Sequence, residues 1–263
     1  MINFKKYQKK ALLPNDELFT VLFLNPISTR IAYFIHKHKL NITPNQITLF
    51  RLILLTPLTI VLLLLAPLFS WRIVYLIVPI LIYFSLLTDD LDGNLARGSN
   101  KTSKFGAFLD TISDRQLILL FFTFVFSFGL YVGSIILVYG SVTLFLLKIF
   151  NLTVINKVYY FGAGKVTNED LFSAKKETKM LGLDLARRIT FKLRKFIKIK
   201  RYGGNLGGVE RIVLMVMIPS LLFYFELGLI SLIMIYIFVV LFSIQYVSRT
   251  INLVRDYKKE LVE

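Results

Sequence analysis

The chain has 263 residues, 56% of them hydrophobic, a mean hydropathy of +0.66, a formal net charge of +16 and no cysteine. The lack of cysteine excludes disulfides and thiolate metal sites, and apolar runs long enough to cross a bilayer, for which about 20 helical residues suffice, exclude an ordinary soluble domain. The Lys and Arg residues flank these runs and are not interleaved with exposed aromatics, so anionic phospholipid headgroups are the expected partner and nucleic acid is not.

Residues 1–42 read as a basic arm and then an amphipathic segment. Ile27, Ile31, Phe34 and Ile35 fall on one helical face with Arg30, Lys37 and Lys39 elsewhere, which predicts a helix lying on the membrane surface. His36 and His38, in a His-Lys-His-Lys run, read as solvated interfacial residues rather than metal ligands. The stretch Leu18 to Leu24 is too short to span and no small-residue cleavage site follows it, so no cleaved leader is expected. Span one is expected from Gln46 to Ala66, with Pro44 and Asn45 at its start and Pro67 just past its end. Span two follows from Trp71 to Asp90, span three from Phe105 to Gly129 and span four from Tyr131 to Ile149. A basic loop, residues 165–208, precedes span five (Val209 to Phe225) and span six (Leu229 to Val247).

The fold class expected is therefore an all-α membrane protein, a six-transmembrane-helix bundle over residues 43–250 preceded by an N-terminal amphipathic juxtamembrane helix, with a tail at 251–263. The arm, the segment between spans two and three, the long loop and the tail are rich in Lys or Arg, whereas the opposite turns offer only Arg72 and Glu226. A multi-pass cell-membrane protein with both termini and these loops in the cytoplasm is expected.

Four carboxylates border these apolar runs, in the pattern Asp89-x-x-Asp92-Gly93-x-x-Ala96-Arg97-x(8)-Gly106-x-x-x-Asp110-x-x-x-Asp114. An ionised side chain at membrane depth costs at least a few kcal/mol, so it is normally paired, hydrated or bound to a cation. Asp89 and Asp92 share one helical face, as do Gly106, Asp110 and Asp114. Spans two and three are neighbours in sequence and are expected to pack antiparallel, which would gather the four carboxylates into one pocket. Their combined charge would be balanced by two divalent ions, an arrangement used for displacement at phosphorus, and all-oxygen ligands point to Mg²⁺ or Mn²⁺. Gly93 and Gly106 remove bulk beside the carboxylates, and Arg97 offers a forked cation suited to phosphate oxygens. Asp90 points about 100° away from Asp89 on a helix and is expected to support the site from outside it.

This pattern resembles the signature of the CDP-alcohol phosphotransferase family, and the chain matches every fixed position of it across residues 89–114. A weaker resemblance is Pro44-Asn45-x-x-Thr48-x-x-Arg51, similar to a P-N-x-x-T sequence that family members often carry. The resemblance implies transfer of a substituted phosphate from a CDP-linked donor, most often CDP-diacylglycerol, to an alcohol acceptor in phospholipid synthesis, with release of CMP. It implies that Asp89, Asp92, Asp110 and Asp114 bind two Mg²⁺ ions and that Asp114 also serves as catalytic base. Gly93, Arg97, Gly106, Asn45 and Thr48 would contact the cytidine diphosphate, and a homodimer through the membrane helices is also implied.

Arg51 and Lys148 each read either as a residue snorkelling to headgroups or as a substrate contact, and Arg211 either as a contact for an anionic acceptor or lipid phosphate or as a partner of Glu210. Leu185, Ile189, Leu193, Phe196 and Ile197 recur at helical spacing in the basic loop and suggest a surface helix. Condensation of a soluble CDP-polyol with another alcohol is the main alternative chemistry. A membrane prenyltransferase would leave the glycines and the Gly106-to-Asp114 spacing unexplained, and a cation transporter would place its carboxylates nearer the midplane.

Overall fold

The computed structural model describes residues 3–13, 16–161 and 208–260, with side chains omitted at Asp114, at 151–161 and at parts of 208–260. The expected surface helix of the basic loop lies outside the described residues. Those residues form eight helices and hold no sheet. We number them α1 (Phe4–Ala11), α2 (Asn25–Lys37), α3 (Pro44–Leu68), α4 (Val74–Ser99), α5 (Lys104–Tyr131), α6 (Ile135–Phe161), α7 (208–224) and α8 (Gly228–Glu260). Three of them, α3, α4 and α5, are long and apolar enough to cross a membrane, and shorter apolar stretches occupy Ile135–Phe150, Val213–Tyr224 and Gly228–Leu241. These suit a multi-pass membrane protein.

Helix α3 starts on a capping box. The Thr43 hydroxyl accepts from the Gln46 amide while the Gln46 side chain accepts from the Thr43 amide, and Pro44 occupies the first turn, where no amide hydrogen is needed. Helix α4 does not stop at Asp90 but continues through Arg97 to Ser99, where Asn100 adopts a left-handed conformation (φ 57°) and ends it. The break after α5 falls at Gly133 (φ 68°) rather than at Gly129, so Tyr131 closes α5 and does not open the next helix. Gly129 serves packing instead, since a Cβ there would lie 2.8 Å from Leu137 Cβ.

Prolines shape the apolar helices in a consistent way. Each of three π-helical turns, Thr20–Leu24, Arg51–Leu55 and Val213–Met217, ends two residues before a proline: Pro26, Pro57 and Pro219. A proline ring crowds the carbonyl four residues back and brings no amide hydrogen, and a widened turn relieves that crowding. The carbonyls left without a donor find one on a neighbouring helix. Residue 79 would donate to the Tyr75 carbonyl but is proline, and the Ser220 hydroxyl of α7 donates there at 2.7 Å. Pro67 likewise leaves the Leu63 carbonyl, which accepts from Ser127 of α5. In the π register, residue 57 would serve the Leu52 carbonyl, and the Gln116 side chain of α5 serves it at 3.2 Å. In hydrocarbon such groups have no water to turn to, so these bonds also tie the helices together.

The core divides in two. One cluster joins α3 to α8 and contains Tyr75, whose ring meets Phe124, Phe128, Tyr131 and Phe223 edge-on. A smaller one packs Tyr7 and Ala11 of α1 with Ala32 and Ile35 of α2, Ile47 of α3, and Leu91 and Leu95 of α4. Ile35 therefore belongs to the buried face of α2, while Arg30 shares the exposed face with Ile27, Ile31 and Phe34. The short connection suggested that α4 and α5 pack directly along their length; instead α3 packs against both and separates much of them. That placement sets the composition of the site.

Candidate active site

Asp89 and Asp92 project from α4 and Asp110 from the second turn of α5, and one oxygen from each lies within 4.8 Å of the others. Asp92 is buried, Asp89 partly exposed and Asp110 open on its outer side. Asp114 stands one turn beyond Asp110 on α5, its side chain outside the described set. The expected convergence of carboxylates thus holds for three of the four.

Helix α3, lying between α4 and α5, supplies the floor. The buried Thr48 hydroxyl donates to Asp92 Oδ2 at 2.6 Å, which fixes the rotation of that carboxylate. Arg51, 1% exposed, does not snorkel outward; its guanidinium pairs with Asp89 and stands 3.8 Å from Asp110. The π-helical turn begins at Arg51, a distortion often found at functional sites. Asn45 faces the start of α5, where a Cβ on Gly106 would lie 3.0 Å from Asn45 Oδ1. Gly106 also donates its amide to Ser103, the cap of α5. The missing Cβ thus lets α3 and α5 approach at these ends.

Gly93 and Arg97 form the other edge. A Cβ on Gly93 would lie 2.9 Å from Arg97 Nη1, so the glycine makes room for the guanidinium itself. Arg97 donates through Nε to the Ala11 carbonyl at 2.6 Å and through Nη2 to Asn94 Oδ1 at 3.0 Å. Asn94 Nδ2 donates to Ser28 Oγ at 2.9 Å, and that hydroxyl donates to Asp90 Oδ2 at 2.5 Å. A chain of donors therefore runs from Arg97 to Asp90, which stands outside the three-carboxylate group as its position on the helix suggested.

Helix α1, within what the sequence suggests only as a basic arm, holds this edge in place. Tyr7 is fully buried against Gly98, and Lys10 Nζ donates to the Gly98 carbonyl at 3.3 Å. Burial pushes the Tyr7 phenol up to about 12, so it stays a neutral donor to the Asn94 carbonyl. The available signals were Asn3, which caps the helix, and the Tyr7–Ala11 spacing, which gives one apolar stripe amid four lysines. Lys148 lies on α6 and Arg211 in the first turn of α7, both partly buried.

A cavity of about 620 Å³ opens beside this edge, lined by Lys37, Lys39, Lys101 and His36 together with Tyr33, Leu40 and Ile42. At the far end of the molecule, Arg72 pairs with Glu226 at 3.2 Å and donates to the Phe223 carbonyl, so the two charges of the opposite turns cancel.

The family model for CDP-alcohol phosphatidyltransferases matches residues 41–245, which takes in α3 to α7 and the three clustered carboxylates. The chain belongs to the CDP-alcohol phosphatidyltransferase family. It is 39% identical over 75 residues to a CDP-diacylglycerol–glycerol-3-phosphate 3-phosphatidyltransferase of Salmonella choleraesuis (strain SC-B67), a match that covers 28% of this chain and 38% of that protein's length. Members of this family are phosphotransferases with CDP-linked donors and alcohol acceptors. The donor set of the cluster, carboxylates with no sulfur or imidazole, fits a hard divalent cation such as Mg²⁺ or Mn²⁺.

Proposed function

We propose that the protein is an integral-membrane enzyme that moves a phosphatidyl group from CDP-diacylglycerol to an alcohol, with release of CMP. The observation that carries this reading is the convergence of Asp89, Asp92 and Asp110 within the part of the chain that matches the family model. The relative's name makes glycerol 3-phosphate the first acceptor to test. Six membrane spans, with the carboxylates and both termini in the cytoplasm, complete the proposal; the Lys and Arg distribution and the cancelled Arg72–Glu226 pair support that orientation. The lysine-lined cavity suits an anionic headgroup at the same surface.

Asp89, Asp92, Asp110 and Asp114 would hold two Mg²⁺ ions. When bound, such ions would supply charge neutralisation for the diphosphate and for the leaving CMP. Thr48 keeps Asp92 oriented, and Arg97, anchored through two of its nitrogens, presents its remaining nitrogen over Gly93 for a phosphate oxygen. Gly106 lets Asn45 of α3 sit against the start of α5, where the two would border the nucleotide. Asp114 accepts the proton of the acceptor hydroxyl as its oxygen attacks the lipid-bearing phosphorus. The bond from that phosphorus to the CMP oxygen breaks, and CMP leaves with the electron pair.

The test is CMP release by the purified protein in detergent with Mg²⁺, CDP-diacylglycerol and a panel of alcohols headed by glycerol 3-phosphate, with EDTA as control. Metal-dependent release that requires one alcohol is the expected result and names the acceptor. Release only with a soluble CDP-polyol would move the donor assignment to that class, and no release with either donor class would overturn the transferase reading.

A further inference from the structure

Among the described residues Arg51 is the largest side chain with under 2% exposure, and it lies against the carboxylates rather than against lipid headgroups. Its guanidinium contacts Asp89 and Asp110, two of the three residues whose oxygens are suited to a metal. Among the described residues these carboxylates are the only partners of its buried nitrogens. A positive charge held against carboxylates suited to a metal is therefore what this position provides. The same two carboxylates cannot serve a guanidinium and a divalent cation at full strength together.

Charge bookkeeping over this chain's residues gives the consequence. With Asp114 counted as the proposed fourth ligand, four aspartates and Arg51 sum to −3, one charge less to hold at membrane depth than −4. Two divalent ions would bring the total to +1, a site that attracts a diphosphate. Without Arg51 the same loading would end at zero.

We propose that Arg51 is the built-in counter-cation of the carboxylate cluster: it holds Asp89 and Asp110 while no metal is bound, yields them to divalent ions, and turns its freed donors to phosphate oxygens of the donor substrate. This rests on the reading of the cluster as a metal site. It differs from the snorkelling role because the side chain would exchange partners within the site and never reach headgroups.

The experiment measures Mn²⁺ binding by the electron paramagnetic resonance signal of free Mn²⁺, with no substrate present, and thermal unfolding with and without EDTA. The wild type is compared with Arg51→Gln and Arg51→Lys. Arg51→Gln removes a positive charge within a few ångströms of the ligands, so its Mn²⁺ affinity is expected to rise about tenfold or more. Its metal-free form is expected to unfold several degrees lower than the wild type, with Mn²⁺ restoring the difference. Arg51→Lys keeps the charge and is expected to bind Mn²⁺ within a few-fold of the wild type. If Arg51→Gln folds only in the presence of Mn²⁺ and unfolds on chelation, that also supports the proposal. Unchanged or weaker Mn²⁺ binding by a folded Arg51→Gln would overturn it while leaving the metal site intact. Absence of Mn²⁺ binding by the wild type would instead remove the metal-site reading on which the proposal stands.

Discussion

Thr48 is the sharpest point at which to perturb the site without touching a metal ligand. Thr48 is 4% exposed, and its hydroxyl donates at 2.6 Å to the buried Asp92 carboxylate. Thr48→Val keeps the shape and removes the donor, so the buried carboxylate loses the bond that orients it. A hydrogen bond to a charged group contributes about 1.5–3 kcal/mol. At about 1.4 kcal/mol per factor of ten, that corresponds to a loss of roughly ten- to a hundred-fold in metal affinity, the range seen when residues behind a metal ligand are removed. The hydroxyl has a second acceptor, the Pro44 carbonyl at 3.2 Å, which is an internal helix carbonyl and adds little to the loss. Mn²⁺ titration monitored by electron paramagnetic resonance reads the effect directly, with the metal dependence of CMP release as the parallel assay. Thr48→Ser retains the donor and should stay within about threefold of the wild type. Wild-type Mn²⁺ affinity in Thr48→Val would refute the reasoning that Thr48 acts through Asp92, and would leave contact with the nucleotide as its role.

Gly98→Ala would place a Cβ 2.3 Å from the Tyr7 ring, well inside the usual carbon contact of about 3.5–4.0 Å, so α1 must lift away and release Arg97. Faster trypsin cleavage at Lys5 to Lys10 with the rest of the chain intact is the expected outcome; an α1 cleaved at the wild-type rate would show that the contact yields elsewhere. Ser220→Ala should destabilise by about 1 kcal/mol in the wild type and by much less in a Pro79→Ala background, where residue 79 regains its amide hydrogen for the Tyr75 carbonyl. Equal losses in both backgrounds in a double-mutant cycle of unfolding would break the link between Pro79 and Ser220. Asp114→Asn should nearly abolish CMP release while CDP-donor binding stays measurable; near-normal turnover would remove Asp114 as the base.

The clustered carboxylates were legible because their spacing is fixed by helix geometry: two carboxylates one turn apart on α4, and Asp110 near the start of α5. The third wall of the site was legible only in part. The Pro44-Asn45-x-x-Thr48-x-x-Arg51 resemblance marked Thr48 and Arg51 as candidate substrate contacts, but their contacts with Asp92 and Asp89 follow from the wedging of α3 between α4 and α5, which depends on packing that no local pattern encodes. The span expected to end at Asp90 belongs to a longer helix: α4 runs nine residues past Asp90, to Ser99, since leaving the hydrocarbon does not require leaving the helix. Between α5 and α6 two glycines competed for the break, and Gly133 took the turn while Gly129 took the close approach of α6. The π-helical turns had a visible cue in Pro26, Pro57 and Pro219, but Pro79 shows that a proline can equally be accommodated by a hydroxyl from the next helix. Only the neighbour decides which.

The most direct measurement is an anomalous-scattering map from crystals of the protein grown or soaked in Mn²⁺. The account predicts a manganese peak bounded by oxygens of Asp89, Asp92 and Asp110, with Thr48 still donating to Asp92. Manganese bound only at positions that touch none of these three carboxylates would contradict it.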